Sequence, residues 1–153
     1  MKEEYIKNYL DAFKSVLESF TSNAVEFKSI DDRNMLTVNH DLSIIIGFVG
    51  DIRGQVSFIM EKDVAMSLSS ILAGGMEITE IDELVKSAMG ELGNMIMGNA
   101  CTLFSKQGVA FDITPPTIIT GQDFHISNLS TTFRNDIIID GIGKMCFDVS
   151  LKN

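Results

Sequence analysis

The sequence predicts an α/β (α+β) fold in which long helices pack on a mixed, largely antiparallel β-sheet, with residues 1–153 forming a single domain. The chain has 153 residues, which is the size of one ordinary domain with its own core. Apolar residues recur at helical spacing in three segments and at strand-like spacing in several shorter ones. No linker composition, internal repeat or low-complexity tract divides the chain, so nothing indicates a second domain.

The first two helical segments have short, clear patterns. Residues 2–20 carry one apolar stripe with charged and polar residues in the gaps, which is typical of a helix packed on a core. Residues 61–72 return to helical spacing, and Gly74-Gly75 beyond them suits a left-handed helix end.

The third helical segment is the longest. Thr79 is the predicted N-cap, Asp82 and Glu83 follow in the first turn, and the pattern continues to about Lys106. The apolar residues that form its predicted stripe are Ile81, Leu84, Val85, Ala88, Leu92, Met95, Ile96 and Leu103.

The remaining apolar segments have the length and composition of strands. The run Ile44-Ile45-Ile46 predicts a strand covered on both faces. Gly50-Asp51, with Gly54 beyond, predicts a turn between two strands. The predicted strand-like stretches are 24–30, 35–38, 42–49, 54–60, 109–113, the surroundings of Ile118, 124–126, 136–142 and 144–151.

Charge and cysteine content exclude several classes of partner. The net charge of −9 argues against nucleic acid and against an anionic membrane surface, because binding to either relies on Lys and Arg. Cys101 and Cys146 are too few for a disulfide framework, which favours a reducing compartment. The N-terminus is acidic and no apolar run approaches the roughly 20 residues of a membrane span. A cytoplasmic location is therefore predicted.

One face of the long helix collects polar residues and a glycine. At about 100° per residue, Glu83, Ser87, Glu91, Asn94 and Gly98 fall within a sector of roughly 80°. We call this set the polar sector. Such a face is most often solvated surface, because Glu and Asn are usually exposed whatever their role.

Three glycines set this helix apart from an ordinary surface helix. Gly90, Gly93 and Gly98 each cost about 0.5–1 kcal/mol relative to alanine in a helix. Their presence indicates a close approach, either of a neighbour within the same protein or of the backbone of a partner. Periodicity alone does not distinguish the two.

Residues 82–98 resemble the signature of the CheC/CheX/FliY family of chemotaxis phosphatases. That signature is Asp or Ser, three residues, Glu, two residues, Asn, and a proline some 22 residues on. Ser87, Glu91 and Asn94 match its spacing, while Pro116 follows Asn94 after 21 residues, one fewer than in the pattern. Because the motif occurs once, the chain resembles the CheX branch, since members of the CheC type carry two copies.

The resemblance implies a phosphatase that hydrolyses the aspartyl phosphate of a CheY-like response regulator in chemotaxis. Asn94 would orient the attacking water, since a carboxamide donates and accepts hydrogen bonds without taking up a proton. Glu91 would pair with the regulator's active-site lysine. Ser87, Glu83, Gly90 and Gly98 would support the site or contact the partner.

The resemblance also implies no metal site or cofactor of the chain's own. The phosphorylated partner would supply Mg²⁺ and a lysine to neutralise the phosphoryl oxygens. Relatives of the CheX type are homodimers joined through their sheets, so a homodimer is expected here, and an exposed edge strand is expected to pair.

Other catalytic chemistries fit the sequence less well. A cysteine phosphatase usually has an arginine six positions after its thiol, but Gln107 follows Cys101 and Lys152 follows Cys146 at that distance. Cys101 falls on the polar sector and stays a candidate at the edge of the site, although a small buried apolar role is more common.

Two alternatives to a catalytic role remain open. The chain could be a non-catalytic binding module that docks a response regulator or another signalling protein through the same helix face. It could also be a structural domain that buries this face against another subunit.

Other sequence motifs for catalysis or cofactor binding are absent. His40 and His125 are isolated and do not predict a metal site. The sequence contains no nucleotide-binding loop and no Gly-x-Ser-x-Gly elbow.

Overall fold

A computed structural model describes residues 3–21, 25–29, 41–121 and 131–152. The elements in chain order are α1 (Glu3–Thr21), β1 (Val25–Ser29), β2 (Leu42–Gly50), β3 (Gly54–Met60), α2 (Lys62–Leu72), α3 (Glu83–Ser105), β4 (Phe111–Ile113), β5 (Thr117–Thr120), β6 (Thr131–Ile139) and β7 (Gly143–Leu151). The predicted strand-like stretches 35–38 and 124–126, together with His40 and His125, lie outside the described residues.

All the described strands belong to one sheet. Its order is β1-β6-β7-β3-β2-β4, and β5 also pairs with β2. The pairings among the described strands are all antiparallel. The prediction of long helices on a largely antiparallel sheet is confirmed, whereas the single-domain boundary 1–153 stays a prediction.

Alternation along the central strands places one face of the sheet in the core. On β2, Ile44 and Ile46 are fully buried, but Ile45 points to the other face and is only half-buried. The expectation that this run is covered on both faces is therefore met on the core side and only in part at Ile45. The buried residues that β2, β3 and β7 give to the core are Leu42, Ile44, Ile46, Phe48, Val56, Phe58, Met60, Met145, Phe147 and Val149.

The long helix begins later than predicted. Asp82 is the N-cap, and its carboxylate accepts a hydrogen bond from the Val85 backbone N–H at 3.1 Å. The expectation that Thr79 caps the helix is wrong, because Asp82 supplies the acceptor directly before the first helical turn.

Strand β6 is also displaced from its predicted range of 136–142. It runs from Thr131 to Ile139 and ends at Ile139 because the chain turns directly after that residue. The Ile142 N–H donates to the Ile139 carbonyl at 3.0 Å, and Gly141 has a φ of 75°. A positive φ is easiest for glycine, so the turn falls inside the stretch that looked like a strand.

An aromatic cluster joins α1 to α3 and to the sheet. The ring of Tyr9 lies 5.0 Å from that of Phe104, 5.7 Å from Phe48 and 6.3 Å from Phe147. Tyr9 is fully buried, and its hydroxyl has no hydrogen-bond partner among the described residues. Burial also raises the pKa of this hydroxyl.

Tyr9→Phe is expected to raise the free energy of unfolding by about 1 kcal/mol, because it removes a buried hydroxyl that lacks a partner and keeps the ring. Urea denaturation of both proteins measures the difference. Tyr5→Phe is a suitable control, since Tyr5 is only half-buried. Destabilisation by Tyr9→Phe would mean that the hydroxyl is bonded in solution.

Candidate functional site

Helix α3 is held on three sides by the rest of the fold. It packs against α1, α2 and strands β2, β4 and β5. The face that makes these contacts is buried and consists of Val85, Met89, Gly90, Leu92, Gly93, Ile96, Met97, Ala100 and Phe104. With 23 residues, α3 spans about 35 Å, so its remaining face presents a long surface outward.

The structure brings the predicted polar sector together on that outward face. Glu83, Ser87, Glu91 and Gly98 are exposed, and Asn94 is half-buried. Asn94 lies one turn after Glu91, a rise of about 4.5 Å along the axis. The sector is thus continuous, with an exposed carboxylate directly beside a partly sheltered carboxamide.

The polar groups at the centre of this sector are unengaged. Within the described residues, the side chains of Ser87, Glu91 and Asn94 make no hydrogen bond or ion pair. A carboxamide in this state offers both a donor and an acceptor, and a carboxylate offers only acceptors. The pair can therefore orient a water molecule and bind a cation without first breaking an internal contact.

Glu83 differs from Glu91 in having a partner on its own helix. Its carboxylate lies 3.4 Å from the Lys86 ammonium group, one turn on. The Glu83 side chain is 93% exposed, so this pair contributes little to stability. Of the two predicted carboxylates, Glu91 is the one left to meet a partner's positive charge.

The loop between β4 and β5 borders the sector through Pro116. A Cβ atom placed on Gly90 would lie 3.5 Å from Pro116 Cγ and 3.9 Å from Ile118 Cδ1. By helical angle Gly90 is about 40° from Asn94, so Pro116 flanks the Asn94 side of the sector. This contact brings the signature proline beside the helix although Pro116 lies 22 positions after Asn94 in the chain.

Gly93 has a different internal neighbour, the sheet. A Cβ atom there would lie 2.9 Å from Ile46 Cδ1 and 3.0 Å from Ile44 Cγ2. These distances are too short for carbon atoms, whose optimal separation is about 3.5–4.0 Å. The absence of a side chain at Gly93 therefore lets α3 lie this close to β2 without displacing the two isoleucine side chains.

Gly93→Ala is expected to destabilise the fold by about 1–2 kcal/mol, because the added methyl group overpacks the contact with β2. Gly90→Ala is the matched comparison. Its Cβ would make only ordinary contact with Pro116, so improved helix propensity is expected to stabilise that variant by about 0.5–1 kcal/mol. Urea denaturation of both variants tests the contrast, and equal effects would contradict it.

Gly98 has neither kind of neighbour. A Cβ atom placed on it would have no atom of the described residues within 4 Å, and Gly98 is exposed. The helix nevertheless bears the cost of about 0.5–1 kcal/mol that a glycine imposes relative to alanine. Of the two explanations that the sequence left open, a close internal approach therefore applies to Gly93 alone, because a Cβ on Gly90 would make only ordinary contact.

Leu84 is a surface residue that sequence reasoning missed. It was expected in the apolar stripe, but its side chain is 42% exposed. By helical angle it lies about 20° from Glu91, at the edge of the polar sector. Because Leu84 recurs at helical spacing with other apolar residues, its exposure was not predicted. Only its angle around the helix axis, far from Leu92 and Ile96, could have indicated that exposure.

Neither cysteine is activated as a nucleophile. Cys101 is half-buried and its thiol donates to the Phe111 carbonyl at an Sγ–O distance of 3.7 Å. Burial, with a smaller effect of Asp112, raises the pKa of Cys101. Burial and then Asp136 raise the pKa of Cys146 to about 12. A raised pKa disfavours the thiolate, which is the reactive form.

The raised pKa of Cys146 also predicts how stability depends on pH. The Cys146 thiol ionises at about pH 8.5 in the unfolded chain but only at about 12 in the folded protein. Between these values the unfolded chain loses the proton first, so the free energy of unfolding is highest below about pH 8.5 and falls as the pH rises. The free energy of unfolding should therefore fall more steeply from pH 8 to 11 in the natural chain than in Cys146→Ala. Parallel curves would contradict the raised pKa.

The start of α3 is acidic. Four acidic residues are exposed at or just before its first turn: Glu77, Glu80, Asp82 and Glu83.

In the described part of the chain, no three His, Cys, Asp or Glu side chains are grouped in a way that could hold a metal ion. None of the helices described has the length and apolar character needed to cross a membrane.

Comparison with known proteins relates this arrangement to chemotaxis proteins. A family model described as chemotaxis phosphatase CheX matches residues 42–138. The CheY-P phosphatase CheX of Thermotoga maritima is 35% identical over 104 residues, which cover 68% of this chain and 67% of that protein.

Solved structures show the same likeness. The crystal structure of the CheX-CheY-BeF3-Mg²⁺ complex from Borrelia burgdorferi matches with a TM-score of 0.81 and 27% identity, over 97% of this chain and 98% of that chain. Chemotaxis protein CheX from Vibrio vulnificus matches with a TM-score of 0.82 over 97% of both chains, at 22% identity. These likenesses confirm the predicted fold and the resemblance drawn from the signature.

Proposed function

Because the chain belongs to the CheX family of chemotaxis phosphatases, we propose that it hydrolyses the aspartyl phosphate of a CheY-like response regulator in the cytoplasm. Family membership confirms the predicted class of enzyme, a phosphatase. The observation that supports the substrate is the unengaged pair Glu91 and Asn94 on the exposed face of α3. A relative of the same fold is recorded in complex with CheY, BeF3 and Mg²⁺.

The proposed reaction is attack by water on the phosphorus of the acyl phosphate. The P–O bond to the aspartate breaks, its electron pair goes to the carboxylate, and water supplies the oxygen and protons that complete inorganic phosphate. Charge on the phosphoryl oxygens is neutralised by Mg²⁺ and a lysine, both held by the regulator. The chain itself then needs no metal or cofactor for this reaction.

Asn94 is proposed to hold the attacking water. Its carboxamide makes no hydrogen bond within the described residues and the residue is half-buried, so its polar atoms stay available at a partly sheltered position. A carboxamide does not take up a proton near neutral pH, so its role is to position the water and not to act as a base. Because acyl phosphate hydrolysis depends mainly on positioning, one such group suffices.

Glu91 is proposed to set the register of Asn94 against the regulator. Its exposed carboxylate, one turn earlier, is available to the lysine at the phosphorylation site. Formation of that ion pair at a shielded interface fixes where the rest of α3 lies. Ser87 and Glu83 extend the same face and are proposed as supporting contacts.

We also propose that the protein forms a homodimer through its sheet. Strand β1 lies at one edge and pairs only with β6 among the described strands. An open edge of this kind tends to pair with another strand or to be covered. Light scattering behind a sizing column is expected to give twice the mass of 16.8 kDa, and a monomer at micromolar concentration would refute the dimer.

Turnover of a phosphorylated regulator tests the proposed function. With Mg²⁺ present, the protein at one-twentieth of the regulator concentration is expected to accelerate phosphate release through many turnovers. Stoichiometric binding without acceleration would favour the non-catalytic binding module. Absence of both would leave the structural domain.

A further inference from the structure

Gly98 is the one glycine of α3 that is exposed and has no neighbour among the described residues. Gly93 makes room for the sheet and a Cβ on Gly90 would be in ordinary contact with Pro116, whereas a Cβ on Gly98 would meet no described atom within 4 Å. Its backbone is helical and has no positive φ, so conformation does not demand glycine either. An alanine would fit the fold and favour the helix.

The location of Gly98 points to what its missing side chain admits. It lies four residues after Asn94, about 6 Å along the helix axis and within about 40° around it. If Asn94 reaches the phosphoryl group, then the surface that faces Gly98 is the part of the regulator that surrounds that group. This inference therefore rests on the proposed function.

We propose that the main chain of the phosphorylated regulator contacts α3 directly at Gly98, and that the absence of a side chain there determines how deeply Asn94 enters the regulator's site. The Gly98 carbonyl oxygen already accepts a hydrogen bond from the Thr102 hydroxyl, at an O–O distance of 3.3 Å. The Gly98 group left to face a partner is therefore the Cα–H. Cα–H groups of close-packed helices contact backbone carbonyl oxygens. A carbonyl of the regulator fits this position, and any Cβ would hold it away.

Gly98→Ala and Gly98→Leu test the proposal, with Asn99→Ala as the control. Asn99 is adjacent in sequence but points about 100° away from Gly98. The probes are the regulator loaded with BeF3 and Mg²⁺, for binding, and the phosphorylated regulator, for turnover. Melting temperature and mass by light scattering are measured for every variant.

Gly98→Ala is expected to raise the melting temperature and yet weaken regulator binding about tenfold, with a further loss in Gly98→Leu. Asn99→Ala is expected to bind like the natural chain. Improved stability together with weakened binding is a combination that a purely structural role would not give.

Four other results decide against the proposal or separate it from the proposed function. Equal binding by the natural chain and Gly98→Ala overturns it, whatever the turnover, and so does a change of mass with binding unaltered, since a second copy would then cover Gly98. If the natural chain binds without turnover and Gly98→Ala binds weakly, the contact stands while the catalytic proposal fails. If the natural chain does not bind, both fail.

Discussion

Asn94→Ala is expected to lower kcat for the phosphorylated regulator at least about 100-fold, because loss of one positioned hydrogen-bonding group at the reacting centre costs that much. Binding should change little, since Asn94 contributes one half-buried side chain to a long helix face. Steady-state phosphate release gives kcat, and titration with the regulator loaded with BeF3 and Mg²⁺ gives the affinity.

Asn99→Ala is the matched control for this prediction. It removes the same carboxamide from the same helix, also at a half-buried position, but outside the polar sector. Asn94→Gln adds a second comparison, because it keeps the carboxamide and displaces it by one methylene group. We expect Asn99→Ala to retain full activity and Asn94→Gln to lose most of it. Equal losses in the two alanine variants would indicate a general effect on α3.

Glu91→Gln is expected to weaken regulator binding about 30-fold, since removal of one charge from a shielded ion pair costs about 2 kcal/mol or more. The side chain keeps its size and its place on the helix, so the fold should be unaffected. The loss should shrink at high salt, because salt weakens the natural pair more than the neutral variant. Titrations at two ionic strengths measure both effects.

Glu18→Gln provides the control for net charge. It removes the same charge from an exposed site on α1, where Glu18 lies 4.0 Å from Lys14. We expect its binding to match that of the natural chain. If Glu18→Gln and Glu91→Gln weaken binding equally, overall charge and not a specific ion pair governs association.

The polar sector could be predicted from the sequence because it depends only on helical periodicity. Glu91, Asn94 and Gly98 share one face of any α-helix that contains them, whatever lies around it. The N-cap was harder to predict from the sequence, because Thr and Asp are both favourable N-cap residues. The choice between Thr79 and Asp82 depends on which residue directly precedes the first helical turn. Leu84 was wrongly placed in the core because it is apolar and recurs at helical spacing with apolar residues, although its direction around the helix axis differs from that of the buried residues.

Contacts between distant segments could not be predicted. The sequence gives no means of knowing that Pro116 reaches Gly90, or that Gly93 lies on Ile44 and Ile46, because these depend on the order of strands in the sheet. The same holds for the distinction among the three glycines. Each has the same helix propensity, and only the packing shows that Gly98 has no neighbour among the residues that the structure describes.

The most direct test of the central claim is a single-turnover measurement in which the phosphorylated regulator is saturated with the natural chain or with Asn94→Ala. Saturation removes differences in affinity, so the decay rate reports only what happens in the complex. We predict rapid release of phosphate with the natural chain, and decay at the regulator's own rate in the complex with Asn94→Ala. Equally rapid decay in both complexes would contradict a water-positioning role for Asn94.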